Sequence, residues 1–213
     1  MVTSFSGIDG AGKTTQINLL VDYCEKNGIS YTKKWSKARG TPGIMFMKKL
    51  VRRDKKMETD EKRAYRDRIY KNSFKRELLF VASLCDLVWY WGIYYRIIQH
   101  KYDIMILDRY IWDTYVELST EFNKKELHKN FLWKIVKSVA LKPGKAILLE
   151  ISAEESLRRD LLKGEITTDE LQVKKDKISK YMFLKEKNAW NVVIDSTKGI
   201  NETFLQIRLA LGI

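Results

Sequence analysis

Short apolar or β-prone runs recur along the chain at residues 2–5, 29–35, 103–107, 145–151 and 191–194, and the segments between them carry apolar residues at helical spacing. After the first run, Ile17, Leu20, Val21 and Cys24 fall on one face of a helix, and near the end Ile200, Phe204, Ile207 and Leu211 form a similar stripe. Strands that alternate with helices predict an α/β fold, a five-stranded parallel sheet with helices on both faces.

Two segments depart from this rhythm. Residues 78–95, LLFVASLCDLVWYWGIYY, approach the length of a membrane span. Asp86 interrupts them, however, and Lys75, Arg76, Glu77 and Arg96 flank them, so a core or subunit-interface helix is expected rather than a membrane segment. Residues 51–68, VRRDKKMETDEKRAYRDR, read as a mobile, solvated excursion whose cations also suit the attraction of an anionic substrate. Only Pro42 and Pro143 punctuate the chain, and no repeat or linker divides it, so residues 1–213 are expected to form one domain.

A hydrophobic content of 45% excludes wholesale disorder. The formal charge of +13 attracts polyanions of every kind and does not by itself indicate a dedicated nucleic-acid surface. Cys24 and Cys85 lie far apart in apolar patterns and read as reduced core residues, and His100 and His128 stand apart from other ligand types. The N-terminus begins directly with a strand, without the charged, apolar and small-residue order of a signal peptide, so a cytoplasmic protein is expected.

The first strand runs into SGIDGAGKTTQ, in which Gly7, Gly12, Lys13 and Thr14 fit the phosphate-loop spacing G-x-x-x-x-G-K-[ST]. Glycines let a backbone approach a triphosphate closely, and a helix beginning there adds its positive dipole end. Lys13 is placed to reach β- and γ-phosphate oxygens and Thr14 to hold Mg²⁺ through its hydroxyl. Gly7, Asp9, Gly10, Ala11, Gly12, Lys13, Thr14 and Thr15 are thus the candidate ATP-binding residues. A second candidate motif lies in YDIMILDRY, where an apolar strand delivers Asp108 and Arg109 at its C-terminal end, the side on which open α/β sheets bind ligands. Asp108 suits Mg²⁺, directly or through water, and Arg109 suits a phosphate.

The motifs FSGIDGAGKTTQ, GTPG, LLF, LDRY and NVVIDS follow one another in that order, and with them the chain resembles the thymidylate kinase family over nearly its whole length. The resemblance implies a P-loop NTPase fold, a homodimer, and Mg²⁺-dependent transfer of the ATP γ-phosphoryl to a nucleoside monophosphate, with dTMP the first candidate. By position it places Lys13 and Thr14 on the ATP phosphates and Mg²⁺, Asp9 near the acceptor sugar hydroxyl, Arg109 on the acceptor phosphate and Phe80 on the acceptor base. It also implies a lid near residues 152–171, in which Arg159 closes over the transferring phosphate, with Arg158 and Lys163 as alternatives.

The chain departs from the family pattern at several positions. Ser6 stands where a glutamate is common, and KARGTP, residues 37–42, replaces an acidic, glycine-rich segment. Leu84 occupies the place of an arginine used in base and phosphate recognition, and Glu117 and Leu118 replace polar residues after the Asp-Arg-Tyr motif. The acceptor pocket is therefore expected to be altered, with Arg39, or else Lys37, substituting for the missing cation. The rival expectations are a kinase of another small acceptor, a nucleic-acid-associated ATPase and an inactive nucleotide-binding module.

Overall fold

A computed structural model describes residues 1–36, 73–122, 124, 126–162 and 169–213. The five expected strands are β1 (Val2–Ser6), β2 (Tyr31–Trp35), β3 (Ile104–Asp108), β4 (Lys145–Glu150) and β5 (Val192–Asp195). All pair in parallel, in the order β2-β3-β1-β4-β5. β1 is buried along its whole length, including the hydroxyls of Thr3, Ser4 and Ser6, and β3 and β4 are nearly so. The edge strands β2 and β5 alternate instead, as strands with one solvated side do. β2 begins at Tyr31 and not at Ile29, because Ile29 N–H closes the preceding turn on Cys24 O at 2.9 Å.

In chain order the helices are α1 (Lys13–Lys26), α2 (Ser73–Trp89), α3 (Tyr95–Ile98), α4 (Ile111–Glu121), α5 (Phe131–Val139), α6 (Ala153–Leu161), α7 (Asp169–Glu186) and α8 (Ile200–Leu211). The chain divides into two compact units. The first comprises Met1–Ser36, Ile97–Glu117 and Lys142–Ile213, and it holds the whole sheet. In it α1 packs on α8, burying Ile17, Leu20 and Cys24 of one and Thr203, Ile207 and Leu211 of the other. Ile200 is exposed rather than part of that stripe, and its carbonyl accepts Gln16 Nε2 at 2.9 Å.

The second unit comprises Lys37–Arg96 and Leu118–Leu141, and its described residues are built on α2 and α5. Asn130 caps α5 by accepting Trp133 N–H at 3.1 Å, and Trp133 and Val136 are buried. The expected single helix over 78–95 is not uniform, since a π-helical turn, Tyr90–Tyr94, follows α2. The wider turn changes which aromatics face inward: Trp91 and Tyr95 are fully buried, Trp89 is exposed, and Tyr90 stacks on Tyr94 at 5.0 Å. Cys85 is exposed, contrary to the expected core position, whereas Cys24 is buried as expected. Segment 51–68 lies outside the described residues.

β1 and β4 are neighbours whose onward connections run to opposite sides of the sheet, so a crevice opens beyond their C-terminal ends. The close approach of β4 forces a glycine, Gly7, at the end of β1. Its φ is 142°, and a Cβ there would lie 2.5 Å from Leu149 O in β4. Gly12 has φ 81° but open space around it. Gly7→Ala is therefore expected to cost at least about 1–3 kcal/mol for the conformation alone, plus displacement of β4, while Gly12→Ala costs only about 1–2 kcal/mol. Urea unfolding checks this, and equal shifts of the two midpoints would refute the close approach to β4.

Candidate active site

The loop from Gly7 to Gly12 turns β1 into α1, with Gly10 and Gly12 both at φ 81°. α1 starts at Lys13 with no side-chain cap and no acidic residue in its first turn. Its first N–H groups, those of Lys13, Thr14 and Thr15, have no carbonyl of their own helix to bond, and they form a donor cluster suited to an anion. Thr14 and Thr15 are exposed beside it, and Ala11 is buried beneath. Lys13 folds back over the loop, its Nζ donating to Gly7 O and Ile8 O at 2.7 Å each. Burial, aided by the charge of Arg109, pushes the Lys13 ammonium down to about 7, against the opposing pull of Asp113, Asp9 and Asp108. An incoming polyphosphate would supply the negative charge this buried amine lacks.

Arg109 follows β3 in the left-handed conformation, φ 66°, which is uncommon for a residue with a side chain. Its N–H bonds Phe5 O at 2.9 Å, anchoring it to the end of β1. The guanidinium pairs with the Asp9 carboxylate, and Nη1 lies 3.5 Å from Gly7 O. Burial opposes the Arg109 charge, yet Asp9, Asp113 and Asp108 more than offset it, so its pKa lies above the ordinary value. Asp108, half-buried at the end of β3, accepts Ser36 N–H on its backbone carbonyl at 3.0 Å. Its charge acts on both Lys13 and Arg109.

α6 brings a third cation to the loop. Arg159 donates from Nη1 to Gly10 O at 3.1 Å, from Nη2 to Ser196 O at 3.0 Å and from Nε to Glu155 at 2.7 Å. Arg158 instead makes a two-pronged pair with Glu155 on the exposed side of the helix. Of the two arginines, Arg159 is thus the one against the phosphate loop. Ser156, on the same helix, donates to Asp9 O at 2.6 Å. Lys163 and the middle of the expected lid, 163–168, lie outside the described residues, as do Lys37, Arg39 and the rest of 37–42.

Lys13, Asp9, Asp108, Arg109 and Arg159 therefore converge on one loop within the first unit. Phe80 and Leu84 belong to the second, where each is buried on α2. The Phe80 ring lies 5.2 Å from Phe122, and Lys124 Nζ lies 5.2 Å above it. Leu84 is 0% exposed, so its environment has no room for an arginine without rearrangement.

Behind the loop is a group that sequence reasoning did not find. Asp113, on α4 and 4% exposed, accepts from Ser6 Oγ at 2.6 Å, Gly7 N–H at 3.2 Å, Tyr110 N–H at 3.1 Å and Tyr181 OH at 2.6 Å. Tyr181 is buried on α7, and burial together with the Asp113 charge pushes its phenol well above the ordinary value. The available signal was slight: an aspartate in the first turn of a largely apolar helix, five residues beyond Asp108.

Comparison with known proteins points the same way as this geometry. Residues 5–207 match the family described as thymidylate kinase. A 33-residue stretch, 16% of this chain and 17% of the relative, is 64% identical to the "Thymidylate kinase" of Fervidobacterium nodosum. A "Probable thymidylate kinase" of Methanobrevibacter smithii is 26% identical over 215 residues, covering 100% of this chain and 94% of that protein. Another from Pyrococcus horikoshii is 32% identical over 185 residues, covering 84% and 78% respectively. With a five-stranded parallel sheet, a phosphate loop at the end of its central strand and a family match across almost all of its length, the chain belongs to the thymidylate kinase family, nucleoside monophosphate kinases that use ATP.

Proposed function

We propose that the protein transfers the γ-phosphoryl group of ATP to dTMP in the presence of Mg²⁺. The observation that carries this reading is the convergence of Lys13, Arg109, Asp9 and Asp108 on a helix N-terminus left without a side-chain cap. In this reading the backbone of Gly7, Asp9, Gly10, Ala11 and Gly12 and the N–H groups of Lys13, Thr14 and Thr15 hold the ATP phosphates. Lys13 exchanges its bonds to Gly7 O and Ile8 O for phosphate oxygens and neutralises charge that grows as the bond to the leaving oxygen lengthens.

Arg109 orients the acceptor phosphate, Asp9 holds Arg109 and faces the acceptor sugar, and Arg159 swings from Gly10 O toward the transferring group. Arg39 supplies the cation that Leu84 lacks. Such chemistry depends on positioning and charge compensation, so no nucleophilic side chain is required.

The donor set also fits a magnesium ion. Among the described residues no group of three His, Cys, Asp or Glu could hold a metal unaided. A hydroxyl from Thr14 and a carboxylate from Asp108 instead suit Mg²⁺, which keeps water and takes phosphate oxygens as its remaining ligands. When bound, the ion would neutralise charge on the transferred group. We place the enzyme in the cytoplasm.

A homodimer is the second part of the proposal. Phe74, Leu78, Val81, Trp89 and Ile93 are 78%, 57%, 39%, 51% and 53% exposed along one helical stretch, and a continuous apolar face of this kind favours association. By length and composition alone the stretch Arg76–Lys101 also suffices to cross a membrane, with 33% of its most apolar window buried. Sedimentation without detergent is expected to give a dimer at micromolar concentration, and Trp89→Glu is expected to give a monomer. A wild-type monomer, or a protein that stays in solution only with detergent, would refute the dimer.

A screen of acceptors by product mass tests the activity. The expected product is dTDP, formed only with Mg²⁺, and Arg39→Ala should lower kcat/KM for dTMP while leaving the KM for ATP unchanged. Lys13→Ala should lose about 100- to 1,000-fold in kcat, equivalent to about 2.7–4 kcal/mol, with an unchanged circular dichroism spectrum. ATP consumption that phosphorylates a different class of small molecule, or no transfer to any nucleoside monophosphate, would refute the reading.

A further inference from the structure

The two backbone polar groups of Gly7, which belong to successive peptide units, meet Asp113 on one side and Lys13 and Arg109 on the other. The N–H donates to Asp113 Oδ1 at 3.2 Å, while the carbonyl receives Lys13 Nζ at 2.7 Å and faces Arg109 Nη1 at 3.5 Å. Gly7 joins two successive peptide units at a φ of 142° with the Leu149 carbonyl at its back, and Tyr181 OH, 2.6 Å from Asp113 Oδ1, lies 3.4 Å from Gly7 O, so both units are tied to the same carboxylate. Asp113 is fixed in turn. Tyr110 N–H and Ser6 Oγ occupy Oδ2, and Tyr181 OH shares Oδ1 with Gly7, so four donors from β1, its loop, α7 and the start of α4 converge on one buried carboxylate.

We propose that Asp113 is a positioning residue for phosphoryl transfer, acting through the Gly7 backbone and Tyr181 to set where Lys13 and Arg109 stand. It touches neither ATP nor acceptor. Its carboxylate holds Gly7 N–H directly and reaches Gly7 O through Tyr181 OH, which lies 3.4 Å from that carbonyl, so it fixes both peptide units that meet at Gly7; the carbonyl holds Lys13 and faces Arg109 until phosphate oxygens take Lys13 over. It also supplies negative charge beside two buried positive groups. Ser6, standing where a glutamate was expected, serves here as a donor to a carboxylate that comes from the other side of the contact. This inference rests on the kinase reading above for its catalytic consequence, but its effect on nucleotide binding can be read without any acceptor.

Asparagine at 113 keeps the shape but replaces one oxygen with an amide NH2, which confronts either Ser6 and Tyr110 N–H or Gly7 N–H and Tyr181 with a donor. The test compares wild type, Asp113→Asn, Tyr181→Phe and the exchanged pair Ser6→Glu with Asp113→Ser. Two quantities are measured: kcat for transfer from ATP to dTMP, and the Kd of a non-hydrolysable ATP analogue with Mg²⁺. Urea unfolding of each variant fixes conditions in which all are folded.

The expected results are a tenfold or greater loss in kcat and at least tenfold weaker analogue binding in Asp113→Asn, a severalfold loss of both in Tyr181→Phe, and substantial recovery in the exchanged pair. Wild-type values of both quantities in a folded Asp113→Asn would overturn the proposal. So would an Asp113→Asn chain that does not fold combined with wild-type values in Tyr181→Phe, because the carboxylate would then be only a structural group. If wild type transfers to no nucleoside monophosphate, the kinase reading fails, and the analogue Kd series still decides whether Asp113 positions the loop.

Discussion

The site depends on keeping two cations, buried Lys13 and part-buried Arg109, beside one carbonyl, that of Gly7. Like charges at close range in a low-dielectric setting repel strongly, and burial alone already disfavours each of them. The fold compensates with Asp9 and Asp108 on the open side and Asp113 on the closed side, all at the ends of β1 and β3 or the helix that follows. In the proposed reading, a triphosphate entering this arrangement meets positive charge already placed and the open N–H groups at the start of α1. Little reorganisation is then left to the chemical step, which is where preorganised electrostatics contribute most.

The same constraint accounts for the architecture around it. β1 is the central strand and buried throughout, so its last residue is as firmly placed as any in the chain. β4 crowds Gly7 from one side, the Arg109 N–H ties β3 to β1 on the other, and Ser156 and Arg159 of α6 hold the carbonyls of Asp9 and Gly10. The loop is thus held by its backbone from several directions while its amide groups at the start of α1 stay open to a ligand. The second unit has a different character. Its described helices bury Phe80, Leu84 and Trp91 and leave an exposed apolar face, which serves association in the proposed reading.

What could be read in the sequence follows how local each feature is. The phosphate loop and the Asp108-Arg109 pair are contiguous and sit at ends of strongly apolar strands, so their residue types and places were visible together. The strand alternation was equally plain because β1, β3 and β4 are buried on both sides. Asp113, Ser6 and Tyr181 were not visible as a group. Their contacts span 107 and 68 residues, and an aspartate, a serine and a tyrosine carry no motif of their own. The facing of the aromatic run near Trp89 is hidden in the sequence for a different reason: a π turn breaks the 3.6-residue period, and Trp91 and Tyr95 turn inward. Leu84 was legible as a departure, but only its complete burial explains why an arginine would not simply fit there.

The central claim is that this site moves the γ-phosphoryl group of ATP intact onto a nucleoside monophosphate. The most direct measurement uses ATP labelled with ¹⁸O in the non-bridging γ-phosphoryl oxygens, together with dTMP and Mg²⁺, and reads product masses. The account predicts that all of the label appears in the terminal phosphate of dTDP and that inorganic phosphate stays unlabelled. Label recovered in inorganic phosphate, with dTMP unchanged, would contradict it.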